Sequence, residues 1–209
     1  DKIAVAYLQG TLGDATYSKL HKTYRISQNN REWLLTLKNL LESLGRKSWI
    51  YKEGRSRSVY ILETTFKTLS RDFDPCALKS ADEKKAYIRG YFDAEGGTAR
   101  LNKVRFYLQF AEKNRARIEK VHNLLKELGI SCGKIHNPSR LIDPDYWRFY
   151  VRADSYDKFV KDIGSWHPRK QQLLSKRVKN SPRLVATQGS REQGSRTGRC
   201  GWITSFLII

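Results

Sequence analysis

The chain has 209 residues, 39% of them hydrophobic, with 40 Lys and Arg against 21 Asp and Glu for a formal charge of +19. That is apolar residue enough for one large or two small cored domains, and self-repulsion on this scale calls for a polyanionic partner, nucleic acid first. Membrane binding is set aside because neither an amphipathic basic helix nor an apolar run long enough to span is present, and zinc because three cysteines and four histidines lack ligand spacing.

Residues 3–14 place apolar and small residues in a helical arrangement, and the Tyr-, Thr- and Ile-containing stretch at 16–28 reads as a hairpin. A helix is predicted over 30–45, where Leu34, Leu37, Leu40, Leu41 and Leu44 share one face and Gly45 supplies the stop. Strands near 47–52 and 57–64 meet at a Gly54 turn, and a short helix is expected near 65–72. Pro75 and the run "KSADEKK" mark a joint with its break near residue 78. A second helix starts after Ser80, with Glu83 completing a capping box, and two strands follow within 98–111. Next come a helix over 114–129, strands near 131–136 and 146–153, and helices near 155–163 and 168–178. From residue 181 the chain turns rich in Gly, Ser, Arg and Gln without periodicity, so 181–209 is expected to be an irregular, disordered tail.

The plan is written twice. "AYLQG" at 6–10 returns as "AYIRG" at 86–90, and "NLLESLG" at 39–45 returns as "NLLKELG" at 123–129. The matching order of elements around these peptides points to duplication, with one copy over 1–78 and the other over 79–180.

Several strands have one basic face. In "KVRFYLQF", 103–110, Val104, Phe106, Leu108 and Phe110 are expected inward, and Lys103, Arg105, Tyr107 and Gln109 outward. "WRFYVR", 147–152, sends Trp147, Phe149 and Val151 inward and Arg148, Tyr150 and Arg152 outward. The first half offers Arg25, Lys52, Arg55 and Arg57 less cleanly. Such a face carries Arg and Lys for phosphates and guanine edges and Gln for adenine, the groups a major-groove reader needs.

Ala86, Gly90 and Ala94 lie four apart along one side of the second helix, and Ala6 and Gly10 supply that side on the first, so the two helices can approach closely. Packed together, they bring Asp14 and Glu95 near each other. A helix C-terminus disfavours negative charge, so acids at both ends ask for a purpose. Paired carboxylates hold a hard divalent cation such as Mg²⁺, which activates water and stabilises the charge that develops when a phosphodiester is attacked.

With "IRGYFDAEG" at 88–96 matching the nine-letter motif at Gly90, Asp93, Ala94, Glu95 and Gly96, the chain resembles the single-chain, two-repeat LAGLIDADG homing endonucleases over residues 1 to 178. That resemblance implies an α+β fold of two pseudo-symmetric αββαββα repeats, motif helices at the repeat interface and two antiparallel sheets forming a saddle over DNA. It also implies that Asp14 and Glu95 bind the catalytic Mg²⁺, or another divalent cation such as Mn²⁺. Gln28 in "ISQNN" and Lys113 in "AEKN" stand where the family places polar and basic residues around the metals. Gln28 would orient water, and Lys113 would stabilise the scissile phosphate or lower the pKa of the nucleophilic water.

The first motif departs from the pattern. Three residues, Thr11, Leu12 and Gly13, separate "AYLQG" from its acid, whereas four separate "AYIRG" from Glu95, and Ala15 replaces the usual Gly. On an undistorted helix this turns the acid by about 100°. Either the last turn tightens, or Gly13 takes the place of Ala94 with the helices out of step.

The tail peptide "CGWITSF", 200–206, can be written UGC GGC UGG AUC ACC UCC UUU, which resembles the 3′ end of small-subunit ribosomal RNA, and "QGSR", 188–191, resembles a segment just upstream. The reading frame is therefore expected to lie in an rRNA intron and to run on into the downstream exon. The first reading is a monomeric, metal-dependent endonuclease making a staggered cut across the minor groove of a long pseudo-palindromic double-stranded DNA site, in a small-subunit rRNA gene. An RNA-binding intron maturase and a non-cleaving DNA-binding protein of the same fold stay open. With no secretory signal and scattered cysteines, the protein is expected inside the cell, in cytoplasm, nucleoid or organelle, and not secreted. Without Met at position 1, Asp1 is not expected to be the translated start.

Overall fold

The first helix, α1 (Lys2–Gly10), begins where the Asp1 carboxylate accepts the amides of Ile3 at 2.9 Å and Ala4 at 3.3 Å. It tightens into a 3₁₀ turn (Thr11–Asp14) and passes directly into β1 (Ala15–Ser18), which pairs with β2 (Thr23–Gln28). Asn30 caps α2 (Arg31–Ser43) by accepting the Trp33 amide at 3.0 Å, and Gly45, at φ +66°, releases the chain into β3 (Ser48–Lys52). β4 (Tyr60–Thr64) then enters between β2 and β3, giving an antiparallel sheet in the order β1-β2-β4-β3. The second half follows suit with α3 (Ala81–Glu95), β5 (Gly97–Thr98), β6 (Leu108–Glu112), α4 (Arg115–Glu127), β7 (Trp147–Tyr150), α5 (Tyr156–Asp162) and α6 (Pro168–Asn180). Its sheet runs β5-β6-β7, and bridges from Cys132 to Val151 and from His136 to Arg148 lay residues 132–136 along the outside of β7. The computed structural model describes residues 1–54, 56–99 and 104–180, side chains at 14 and 177–180 excepted. Arg55, Lys103, Cys200 and the tail at 181–209 lie outside the described residues.

Three expectations need correction. No helix forms near 65–72, so the first copy closes on turns and a short 3₁₀ segment (Pro75–Ala77) and lacks the last helix of αββαββα. Hydroxyl side chains there compete with helical bonding: Thr64 Oγ1 accepts the Phe66 amide at 3.2 Å, and Ser70 Oγ accepts that of Asp72 at 3.2 Å. The amide of Gln9 further clamps both the N–H and the C=O of Ser70. The strand expected near 131–136 is reduced to single bridges. In 103–110, ladder pairing starts only at Leu108, because β5 ends at Thr98, and Val104, which the alternation turned inward, is 48% exposed.

The two halves meet along α1 and α3. A Cβ on Gly10 would collide with the carbonyl oxygen of Tyr87 and lie 2.8 Å from the amide N of Tyr91. One on Gly90 would collide with the carbonyl of Tyr7 and lie 3.3 Å from the amide N of Thr11. Each glycine thus receives the backbone of the other helix, a reciprocal contact of the kind a two-fold axis produces. Around it one continuous core runs from Ala6 to Leu174, with Tyr7, Trp33, Tyr87, Tyr91, Phe92, Phe110, Phe149 and Phe159 fully buried.

A polar network is sealed into this seam. Trp33 Nε1 donates to Tyr7 Oη at 3.0 Å, and Tyr7 donates to Asp93 Oδ2 at 2.6 Å. Asp93, 2% exposed, also accepts the Ser165 hydroxyl and the amides of Trp166 at 2.8 Å and His167 at 3.2 Å. The acid thereby ties α1, α3 and the turn before α6 together. Burial still raises its pKa, although each of these bonds favours the carboxylate. Lys170, buried on α6, donates to the carbonyls of Phe92 at 2.5 Å and Asp93 at 2.9 Å, capping the negative end of α3. His167 stacks on Trp33 with centroids 5.4 Å apart, and its Nδ1 is buried without a protein partner.

Three outcomes follow, two from the seam and one, for comparison, from the end of α4. Gly90→Ala should lower unfolding stability by about 3 kcal/mol or more in denaturant titration, because the obstacle is backbone that cannot rotate away. Gly129→Ala, at φ +71° with only the end of Lys158 nearby, should cost about 1 kcal/mol. Burial, with Lys170 and Arg169 adding to it, pushes the His167 pKa down to about 4. An unfolded His titrates near 6.5, so as pH falls from about 6.5 to about 4 the unfolded chain takes up a proton the folded one refuses, withdrawing up to about 3 kcal/mol. Asp93 acts in the opposite sense, since its raised pKa means that protonation on acidification relieves a cost. Stability measured against pH should therefore fall less steeply between 6.5 and 4 in His167→Asn than in the parent; parallel slopes would remove His167 as the responsible group.

Candidate nucleic-acid interface and metal centre

Glu95 is the last residue of α3, and its carboxylate lies over Gly13: a Cβ built there would stand 2.5 Å from Oε1 and 2.8 Å from Cγ of Glu95. With Gly at residue 13, the second motif's acid rests directly against the end of the first; a side chain there would displace the Glu95 carboxylate from this position. The missing residue is made up by the change of helix type. Four residues of 3₁₀ helix from Gly10 advance about 8 Å and turn about 480°, close to the about 7.5 Å and 500° of five α-helical residues. Four α-helical residues would have given about 6 Å and 400°. The tightened turn over Thr11–Asp14 therefore carries the Asp14 backbone to nearly the level that Glu95 reaches from Gly90. The Asp14 side chain is outside the described residues.

Two acids in "FDAEG" have opposite surroundings. Asp93 is enclosed and saturated with donors, whereas Glu95 is half-exposed at the helix end, where the backbone turns at Gly96 into β5. Of the two, Asp93 does structural work and Glu95 faces the site.

The other expected residues stand around the strand ends. Gln28 closes β2, and with Asn29, Asn30, His167 and Arg169 it lines a cavity. Lys113, exposed, directly follows β6. Aligning the caps, Asn30 of α2 and Asn114 of α4, pairs Gln28 with Glu112 and Asn29 with Lys113, so Gln28 and Lys113 occupy neighbouring, not equivalent, places. Glu112 is taken up structurally: it accepts the Tyr91 hydroxyl at 3.2 Å, caps the amides of Lys113 and Asn114, and faces Arg117 at 3.7 Å.

On the second sheet the ladder puts Gln109, Ala111, Arg148 and Tyr150 on one face and Leu108, Phe110, Phe149 and Val151 on the core side. Tyr107 joins the first set through an edge contact with Tyr150 at 6.0 Å, while Arg105 and Arg152 are exposed outside the strands. The structure adds two residues that alternation alone could not supply. Tyr146 accepts Gln109 Nε2 at 3.2 Å, and His136 accepts Arg148 Nε at 3.3 Å while stacking on Tyr150. Both come from residues outside the named strands, where no periodicity marks them.

On the first sheet Arg25 shares a face with Glu63, Trp49 and Tyr51. Burial would raise the Glu63 pKa, but hydrogen bonds from Thr23 and Tyr51 and the charge of Arg25 bring it below the usual carboxylate range. Arg25 is thus held by an ionised acid at 3.8 Å and by Tyr51 Oη at 2.8 Å. The register places Lys52 on the opposite face, with Ile50 and Leu62, at its exposed end, and Arg57 sits 3.7 Å from Glu53 in the loop beyond.

Among the described residues no three His, Cys, Asp or Glu side chains gather around one point. Cys132 is protonated, burial pushing its thiol up to about 12, and His122 Nε2 is engaged with the Gly133 carbonyl at 2.9 Å. The donor chemistry that remains is carboxylate oxygen at the motif ends, which suits Mg²⁺ or Mn²⁺, ions that keep several ligand places for water and phosphate. No helix among the described residues is long and apolar enough to cross a membrane.

A family model described as a LAGLIDADG-like domain matches residues 82–164. Among solved structures, I-DmoI in complex with DNA and Mn is 25% identical over 78% of this chain and 97% of its own, with a TM-score of 0.58. A structure of mesophilic variants of the homing endonuclease I-DmoI is 23% identical over 84% and 98% of the two chains, with a TM-score of 0.62. Full-length DUF199/WhiA from Thermatoga maritima is 14% identical over 88% of this chain and 63% of its own, with a TM-score of 0.61. No curated protein matches the chain. Residues 82–164 thus resemble a LAGLIDADG-like domain, and the chain has an α+β fold with two antiparallel sheets that matches the LAGLIDADG saddle of I-DmoI.

Proposed function

We propose that this protein is a monomeric, site-specific double-strand DNA endonuclease built of repeats over 1–78 and 79–180. The observation that carries the reading is the meeting of the two motif ends: the Glu95 carboxylate lies over Gly13, next to Asp14, in a chain of formal charge +19. Asp14 and Glu95 hold Mg²⁺ or Mn²⁺, and a cation bound there supplies an activated water and neutralises charge on the attacked phosphate. Gln28 orients the water from the end of β2, and Lys113 offsets phosphate charge from the end of β6. Arg25, Lys52, Arg55 and Arg57 from the first half, with Lys103, Arg105, Tyr107, Gln109, Arg148, Tyr150 and Arg152 from the second, follow phosphates and base edges along a long, pseudo-palindromic site. The similar I-DmoI structures were determined with DNA and with Mn, Mg or Ca, which supports a divalent-metal reaction on DNA. The peptide at 200–206 supports an origin in an rRNA intron and a target in an intronless small-subunit rRNA gene.

A second reading has its own observation. The first motif is one residue short, and a fold shared with WhiA is compatible with DNA binding, or RNA binding as a maturase, without cleavage.

Purified protein is expected to cut a plasmid carrying the intronless rRNA 3′ region once, with Mg²⁺ and not with EDTA. Glu95→Gln and Asp14→Asn should each lower the cleavage rate by at least about a hundred-fold while DNA affinity stays within a few-fold. Tight, salt-sensitive binding of that DNA or of intron RNA with no cut in any divalent metal would move the assignment to the second reading.

A further inference from the structure

Residues 137–146 join the bridge at His136 to β7, and the loop is braced by its own hydrogen bonds. Asn137 Nδ2 donates to the carbonyls of Asp143 at 2.9 Å and Pro144 at 2.8 Å, and its Oδ1 accepts the Ser139 amide at 2.9 Å. The Ser139 carbonyl accepts the amides of Ile142 and Asp143, both at 2.8 Å. Pro138 and Pro144 restrict the chain further. From this frame Leu141 and Ile142 stand out with relative exposures of 100% and 91%, the one adjacent pair among the large exposed apolar residues described.

A slack loop would fold such side chains back against the protein. This one is held open, leaving two aliphatic groups in water that would otherwise be stabilising to bury. The loop is also fastened to the face assigned to DNA: Tyr146 accepts Gln109 Nε2 at 3.2 Å, one strand from Tyr150 and Arg148. Arg140 flanks the pair on the exposed side. Asp143 and Asp145 at the loop's base disfavour phosphate there, and the aliphatic tip offers phosphates no donor, so the pair suits the apolar part of a base edge. The corresponding connection in the first sheet, between β3 and β4, carries Glu53, Ser56, Arg57 and Ser58 and exposes no large apolar residue among its described positions.

Resting on the DNA-binding reading, we propose that Leu141 and Ile142 read sequence by packing on thymine C5-methyl groups in the major groove, in one half of the site only. The thymine methyl is the one apolar feature a base pair presents in that groove, so a rigid aliphatic tip discriminates thymine from cytosine without a hydrogen bond. At this connection the two halves of the target would then be recognised by different chemistry, apolar at the tip of 137–146 and polar and basic at the described positions between β3 and β4.

The test uses the full chain. Binding sites are selected from a random duplex library, and each thymine of the selected site is replaced singly by deoxyuridine, which removes the methyl and keeps the pairing. One or two replacements, confined to one half-site, should weaken binding about 4-fold each, the worth of one buried methyl group. In Leu141→Ser/Ile142→Ser, those replacements should have no effect, while the salt dependence of binding stays that of the parent. A deoxyuridine profile identical in parent and variant, with DNA binding intact, overturns the inference and leaves the proposed function standing. Loss of self-association in the variant, with an unchanged profile, would also overturn it by giving the pair to a protein contact. Failure of the parent to bind any duplex would overturn both.

Discussion

The rest of the structure depends on two glycines meeting two carbonyls. Gly10 accepts the Tyr87 carbonyl and Gly90 accepts that of Tyr7, at a separation no side chain could share. Because the contact is reciprocal, it fixes both the distance between α1 and α3 and their relative rotation. The helices' C-terminal ends are therefore brought to one place, with a sheet hung from each end. Dispersion between closely approached backbones, and not the burial of large side chains, makes this contact. The large side chains, Tyr7, Tyr87, Tyr91 and Phe92, fill the space on either side of it.

Close approach at one point leaves polar groups sealed on both flanks, and the two halves satisfy them differently. Trp33 donates to Tyr7 in the first half, while in the second half the matching residue, Arg117, hydrogen-bonds the matching Tyr87, lies over Tyr91 5.4 Å from its ring centroid, and faces Glu112 at 3.7 Å. Asp93 then spends its acceptor capacity on Tyr7, Ser165 and the turn at 166–167. A buried carboxylate with this many donors is costly to strip of any of them, so the network specifies how the turn before α6 docks as much as it adds stability.

Much of this was legible in the amino-acid sequence, because glycine spacing, leucine periodicity and capping residues each report a local rule. The repeated "AYxxG" peptides located the seam, and Ser80 with Glu83 located the start of α3. The helix expected near 65–72 does not form, because hydroxyl side chains there take backbone amides and Gln9, 61 residues away in sequence, clamps Ser70. Val104 failed for a related reason: alternation sets facing only within a ladder, and among the described residues the pairing with β5 begins at Leu108. Within the site, Tyr146 and His136 escaped notice since irregular segments carry no period, and the motif resemblance singled out Glu95 while giving no account of what Asp93 binds, which its donors supply. Lys52 and Arg25 were grouped by charge, whereas register separates them.

The shortened first motif shows how a lost residue need not break a symmetric arrangement. An α-helix that loses one residue before a fixed point falls short by about 1.5 Å and about 100°. A 3₁₀ turn of the remaining four regains nearly all of both, at the cost of poorer hydrogen-bond geometry. That cost is small here: the Thr11 hydroxyl donates to the Leu8 carbonyl at 2.7 Å, and the turn leads without a loop into β1. At the end of this turn Gly13 leaves the space that the Glu95 carboxylate occupies. The one-residue difference is thus absorbed in the backbone within one turn of helix, and the ends of α1 and α3, unequal in sequence, reach nearly the same level.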